Sequence, residues 1–412
     1  MSRVFTRAPR PAPEAPSSTP GGSSRIVVVR NIDELVEHRT ALDHLAADSA
    51  ETNVFYESIL AEPAVRSLGA GRRLELVLVY RSEPGAPQRP AQLRGFFPFE
   101  RTTPYRGLPV TTLASFQHLH CFLCTPLVRR DDARQTVAAV LDWLVGESGA
   151  TLVELRSIAA EGLVHQLLVE ELHAQRRPFW LRDWSTRAFF EPAEDAETYL
   201  RCAVSGLALK EVRRKEKRLG ELGRLRWQEL EPGEDAGPWL RGFLELEASG
   251  WKGREGSALA CSEAQQEFFV NAATAAHDLG QLMVLGLFLD DRPLALKCNF
   301  LSGAGGFAFK IAFDERYRAF SPGFLLEIEN VRRLHQRADI RWMDSCAAAE
   351  HAMINRLWPG RRTIATILFA TGRAPGDLLV SLMPLLRWGH RKLTRLSRGR
   401  ARADATRGEP TS

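Results

Sequence analysis

The sequence has no run of about 18 uninterrupted apolar residues, so it offers no segment that reads as a membrane-spanning helix. It has only six cysteines, scattered over 412 residues, which excludes a disulfide framework and fits reduced thiols in a reducing compartment. It has little excess of either charge. The net +5 is concentrated from Arg387 to Ser412, where seven Arg and one Lys face only Asp404 and Glu409, leaving the rest of the chain near −1. A body of that charge does not call for nucleic acid as a partner. The first 25 residues, MSRVFTRAPRPAPEAPSSTPGGSSR, lack an apolar core followed by a cleavage site; they are expected to be a disordered leader, and the protein to be cytoplasmic. What is present, 44% hydrophobic and 25% charged residues, is ordinary globular composition.

Strand and helix signals alternate, which predicts an α/β layered fold. In residues 26–190, RIVVVR, RRLELVLVY, QLRGFFPFE and TLVELRSI read as strands, and DDARQTVAAVLDWLVGE and GLVHQLLVEELHAQ as helices. In residues 191–372, AETYLRCAVSGLALKEVRRKEKRLGEL reads as one helix, with Glu211 paired to Lys215, and GRLRWQEL as a strand. SEAQQEFFVNAATAAHDLG reads as a helix capped by Ser262 and stopped at Gly280. QLMVLGLFLD, RPLALKCNFLSG and GGFAFKIAFD then suit an antiparallel meander, with turns DDRP and SGAGG. IRWMDSC and RRTIATILFAT close the block.

The stretch FAFKIAFDERYRAFSPGFLLEIENVRRLHQ passes from a strand through Ser321, Pro322 and Gly323 into a long helix with Phe324, Ile328 and Val331 on one face. Ser321 reads as the N-cap and Pro322 as the first helical residue. First-turn N–H groups without helical partners, together with the helix dipole, make a generic anion site suited to a pyrophosphate; the same pattern also describes a well-capped core helix.

Together WKGREG (Trp251–Gly256), LKCNF, FAFKIAFDERYRAFSPGFLLEIENVRRLH and WMDSCAAAEHAMINRLWPGRRTI resemble the CelD-like, FemAB-related branch of the GNAT acyltransferases, a branch often met beside cellulose or other exopolysaccharide genes. The resemblance is strong over residues 194–371 and weaker before them. It implies two tandem GNAT-like α/β domains with mixed, mostly antiparallel sheets flanked by helices, at 26–190 and 191–372. It implies transfer of an acetyl or other acyl group from acyl-CoA to an amine or hydroxyl of a saccharide or its precursor. The GNAT signature R/Q-x-x-G-x-G/A is absent; RYRAFSPG stands in its place with one glycine, so the phosphate cradle is expected to be built differently. On this reading Ile311, Phe313, Ser321, Pro322, Gly323 and Phe324 would hold the CoA, and no metal is required.

Acyl transfer needs a group to take the acceptor's proton, a donor for the thioester oxygen, and stabilisation of the thiolate. Asp344 is a candidate base or a local cap carboxylate. Lys297 and Lys310 lie in apolar strands, where they either meet an acidic acceptor, pair with Asp344 or Asp314, or simply stand on the wet face of a half-exposed sheet. Glu247, Trp251 and Lys252 flank a helix end, where Trp251 suits a sugar or a core contact. Tyr317 reads either as a proton donor to the leaving thiolate or as a packing residue in a turn. Asn355 and Arg356 read as a loop over the acceptor, and Arg361 and Arg362 as phosphate contacts. KEVRRKEKRL reads as a solvated helix face or a landing strip for a CoA phosphate. HLHCFLC offers His118, His120, Cys121 and Cys124, but lacks the second ligand pair of a structural zinc site, and its alternation favours a strand. Residues 373–412 join an apolar segment with Trp388 to a basic run, either a packed helix with a free basic end or a peripheral membrane contact. The alternatives to acyl-CoA transfer are an aminoacyl-tRNA-dependent, FemAB-like peptidyltransferase of cell-wall precursors and a non-catalytic subunit of a polysaccharide synthase.

Overall fold

LELVLVYR and LMVLGLFL are apolar at nearly every position, so a strand made from either must be covered on both faces, and both become strands one place in from the edges of a sheet, buried on two sides. The computed structural model describes residues 24–82, 90–105 and 107–382. Its strands are β1 (Ser24–Val29), β2 (Leu74–Arg81), β3 (Gln92–Thr102), β4 (Thr112–Ser115), β5 (Leu127–Val128), β6 (Leu152–Ala159), β7 (Phe179–Phe190), β8 (Leu225–Glu229), β9 (Leu282–Leu289), β10 (Arg292–Ser302), β11 (Gly305–Phe313), β12 (Trp342–Asp344) and β13 (Gly360–Ala370). They form a single 13-stranded sheet, β1-β2-β3-β4-β6-β13-β7-β12-β11-β10-β9-β8, with β5 appended to β3.

The mixed, mostly antiparallel character and the flanking helices are as expected, but the two expected sheets are fused into one. The order is close to symmetric about the β13–β7 pair. Each half is a meander that meets one parallel partner, β4 with β6 in the first half and β11 with β12 in the second. The central strands are exchanged. β13, from the end of the second block, lies between β6 and β7 of the first, and the long β7 runs on to pair with β12 of the second. Neither half completes its sheet without the other's strand.

Helices cover both faces. The helices Ala236–Ser249 and Glu263–Asp278 pack on one face of the C-terminal half through Phe243, Phe268 and Phe269, in a core that continues into the first half through Phe55, Leu60 and Phe96. The helices Ala196–Ala203, Gly206–Gly220 and Pro322–Gln336 cover the other face through Leu200, Leu219, Leu326 and Val331. The single helix expected over 196–222 is broken at Val204–Ser205, because Ser205 accepts the N–H of Ala208 and starts a new helix. Glu211 pairs with Arg214 at i,i+3 rather than with Lys215. Ser262 stands at its expected cap position without a side-chain capping bond, and Gly280 adopts φ +67° just past the helix end. Ser24 and Arg25, assigned above to the leader, begin β1; residues 1–23 and 383–412, with Trp388 and the basic run, lie outside the described residues. No helix among the described residues is long and apolar enough to cross a membrane.

HLHCFLC is not a strand. Backbone carbonyls that a ladder would have used are taken by side chains: Cys121 by Gln117, Phe122 by Arg187, and Leu123 and Thr125 by the buried Asn53. The Cys124 N–H donates to the Ser157 carbonyl of β6. The segment therefore fills the space where β4 ends and β6 continues.

Candidate active site

Side chains alternate along a strand, so Phe307, Phe309, Ile311 and Phe313 should share one face. They do not. The β10–β11 register jumps from Cys298–Lys310 to Asn299–Ala308, and Phe309 is the extra residue of a β-bulge. Phe309 stays in the core under Glu263–Asp278, while Ile311 and Phe313 are switched to the opposite face. Lys310 is switched in the reverse sense and reaches Glu247 on the helix Ala236–Ser249. One skipped residue thus builds a site on each side of β11.

On the first side, β11 pairs with β12 only from Gly305 to Phe307 and then leaves it. The resulting fork opens into a cleft of ≈ 500 Å³, lined by Ile311 and Phe313, by Ser321, Gly323 and Phe324 at the start of Pro322–Gln336, and by Lys215, Arg318 and Arg356. Five of the six expected cofactor residues line it; Pro322 occupies the first helical position and is buried. The Ser321 cap differs from expectation. Ser321 is left-handed, φ 55°, and its hydroxyl makes no capping bond; instead it accepts a hydrogen bond from Lys215 Nζ at 2.8 Å. The Phe324 and Leu325 N–H groups both turn back to the Ser321 carbonyl, and Pro322 has no N–H. The first turn therefore presents the Gly323 N–H and the dipole, reinforced by three cationic side chains, where several amides were expected. A Cβ on Gly323 would stand 3.2 Å from Phe313 and 3.8 Å from Ile311, so glycine keeps the cleft open.

On the second side lies a buried polar cluster. Lys252 Nζ at 3.0 Å and Lys310 Nζ at 2.9 Å both donate to Glu247 Oε1, while Oε2 accepts the Leu259 N–H at 2.8 Å. Burial pushes the Glu247 carboxyl up, but the charges of Lys310 and Lys252 outweigh it and hold the group below its ordinary value. Burial lowers Lys310 below an ordinary lysine, against the attraction of Glu247. His120, from the segment filling the first half's fork, bonds Gln265 at 3.0 Å; burial and then Lys310 lower its pKa to about 4. A recess of ≈ 30 Å³ lined by Glu247, Trp251 and Lys252 shares Ile311 and Phe313 with the cleft, which joins the two sides.

The remaining candidates lie elsewhere. Asp344 is fully buried and held by Arg187 at 2.7 Å, Arg362 at 2.8 Å and the Cys346 N–H at 2.9 Å, so it ties β12 to the exchanged β7 and β13. Lys297 pairs with Glu327 at 2.7 Å inside the sheet–helix layer, and neither lysine pairs with Asp344 or Asp314 as expected, because the bulge sends Lys310 to Glu247. Tyr317 does not line the cleft; it borders a separate pocket with Asp314 and Arg316 and packs on the core of the second half. Asn355 and Arg356 are helical, in Ala352–Leu357, not in a loop; Asn355 bonds the Ala349 carbonyl and Arg356 lines the cleft. Arg361 holds the Trp358 and Gly360 carbonyls. Trp251 is half exposed, its backbone N–H donated to Glu315 at 2.7 Å. Among the described residues no cluster of three or more His, Cys, Asp or Glu is arranged to hold a metal. Sequence reasoning missed Arg318 and Gln265 altogether and saw His120 only as a metal ligand; the bulge that organises them leaves no mark in a single sequence.

Comparison with known proteins agrees with this geometry. Residues 208–352, which include the cleft helix and both sides of β11, match the model of the acetyltransferase (GNAT) domain. The fold is similar to that of FemX, with a TM-score of 0.55 at 10% identity, covering 83% of this chain and 98% of that one. It is also similar to a C-terminal domain from Agrobacterium fabrum assigned to a lysylphosphatidylglycerol synthetase (TM-score 0.50, 10% identity, 84% and 95% covered). A Bacteroides thetaiotaomicron protein of unknown function is alike to the same degree (0.50, 9%, 81% and 97%). No curated protein matches the chain. The match of residues 208–352 to a GNAT acetyltransferase domain supports an acyltransferase.

Proposed function

We propose that the protein transfers an acyl group from acyl-CoA to an amine or hydroxyl of a saccharide or saccharide precursor. The observation that carries the donor is the β11–β12 fork. It is open, apolar along Ile311, Phe313 and Phe324, and ends on a helix N-terminus flanked by Lys215, Arg318 and Arg356. An apolar slot closed by cations suits a pantetheine arm ending in a pyrophosphate. The thioester would reach the bulge, where the acceptor attacks the carbonyl carbon, the C–S bond breaks and the thiolate leaves. Lys252, whose Nζ lies 3.5 Å from the Ile311 carbonyl, is the donor nearest the developing oxyanion. Lys310, lowered by burial, takes the acceptor's proton in its neutral form, and Glu247 orients both lysines. The half-exposed Trp251 beside them suits the face of a sugar ring.

Calorimetric titration with acetyl-CoA, longer acyl-CoAs and free CoA tests the donor. Micromolar binding that is weakened about tenfold or more in Gly323→Leu supports it; no binding of any of them overturns it. One observation favours a second donor. The helix Gly206–Gly220, whose Lys215 lines the cleft, also exposes Lys210, Arg213, Arg214, Lys217 and Arg218 beside it, a footing for the end of a charged tRNA. Tight binding of aminoacyl-tRNA with none of CoA would select that reading.

A further inference from the structure

At the other end of β11 the two halves enclose a separate cavity of ≈ 870 Å³. One wall is the helix Arg39–Ala47 with the start of Ser58–Leu68, the second is the β10–β11 turn at Ser302–Ala304, and the third is Phe189, Trp342 and Arg362. From Gly305 to Ile311 a strand rises about 20 Å, so this cavity is well removed from the acyl cleft.

Its cations are already engaged. Arg362 binds Asp344 and lies 4.9 Å over the Trp342 ring, which itself stacks on Phe189 at 5.5 Å. Arg130 donates to the Ser49 and Ala50 carbonyls. Arg39, on the same helix as Asp43, pairs with Glu62. Two of its carboxyl groups are not matched in this way. Asp43 accepts a hydrogen bond from the Ser58 hydroxyl and the buried Glu57 accepts one from the Ser302 hydroxyl, yet neither forms an ion pair among the described residues. Glu51, on the far wall, accepts the Val164 N–H and feels Arg362.

We propose that this cavity binds an organic amine, with the ammonium held by Asp43 and Glu57 and the carbon skeleton against Trp342, Ile59 and Leu279. An ammonium offers three donors to these two carboxyls, and its charge relieves the repulsion that Asp43 exerts on Glu57. An anion would meet those carboxyls, and a neutral polyol would leave their charge unmatched. The aromatic and aliphatic wall supplies the apolar contact that an amine of ring size needs. Burial, with Asp43 adding to it and the Ser302 and Gln281 hydrogen bonds opposing, raises Glu57 to about 7. Glu57 must then lose its proton to receive the cation, and affinity rises with pH through that range. The proposal stands independently of the acyl-transfer reading.

The test is calorimetric titration of the full chain with cyclohexylamine and glucosamine, each against its hydroxyl counterpart, cyclohexanol and glucose. The expected result is that at least one amine binds about tenfold or more tighter than its counterpart. Asp43→Asn and Glu57→Gln should each remove that advantage, and Glu57→Gln should also flatten its rise between about pH 6 and about pH 8. Asp43 is exposed, so Asp43→Asn keeps the test decisive if Glu57→Gln fails to fold. Which amine binds tells an amino sugar from an aliphatic ring. Equal binding of amine and counterpart, unchanged amine binding in the variants, or no amine binding at millimolar concentration would each overturn it.

Discussion

The molecule contains two forks, one per half, where an antiparallel meander meets its single parallel partner. They differ in what occupies the gap. Between β11 and β12 the chain leaves a cleft whose walls are apolar side chains and whose floor is a helix start with cations around it. Between β4 and β6 the segment after Ser115 turns inward and is held by Asn53, Gln117, Arg187 and Thr125, the last taking the Ala159 N–H through its hydroxyl. The same architecture is thus used once to leave a cleft open and once as solid core. The filled fork is not idle, since it carries His120 across to the lysine cluster of the open one.

This contrast can be broken at its hinge, its filled side and its open side. The largest effect is expected at the seam. Asp344→Ala leaves the buried Arg187 and the part-buried Arg362 without their anion and should cost about 3–5 kcal/mol in denaturant unfolding. A change in acyl transfer with unchanged stability would instead make Asp344 a participant in the chemistry. On the filled side, His120 is neutral in the fold at a pKa of about 4, below the ordinary value of about 6.5. The unfolded chain therefore binds the extra proton between these values. Stability falls as pH drops from about 6.5 to about 4, by roughly 3 kcal/mol from this group, and His120→Gln should flatten that part of the profile. Asn53→Ala strips the Leu123 and Thr125 carbonyls of their donor and should cost about 2 kcal/mol, with acyl-CoA affinity unchanged.

On the open side the order reverses: binding suffers and stability does not. Gly323→Leu pushes a side chain against Phe313 and should weaken acyl-CoA binding by about tenfold or more, read by calorimetry, with little change in the unfolding midpoint. The smallest effect is expected from Lys215→Met, a loss of about 1 kcal/mol in CoA affinity that shrinks as salt is raised. A Lys215 variant that loses affinity equally at all salt concentrations would show that its bond to Ser321, and not its charge, shapes the cradle.

Much of this was legible in the residues. The β9–β11 meander and the helix from Pro322 follow from period, turn residues and Ser-Pro-Gly punctuation, which act over a few neighbouring positions. So does the cleft lining at Ile311, Phe313, Gly323 and Phe324, once the fold is named by its motifs. The pairing of Lys310 with Glu247, by contrast, depends on Phe309 being skipped in the ladder, and a bulge is set by the partner strand and the layers above it. Likewise β13 sits between β6 and β7 because an edge of the first half's sheet needs covering, and Asp344 becomes a buried anchor because that exchange brings Arg187 and Arg362 to it. Local sequence determined the elements and the slot they frame. Tertiary structure alone decided which fork stays open, because hydrogen bonds and packing between residues 40 to 145 positions apart close the other.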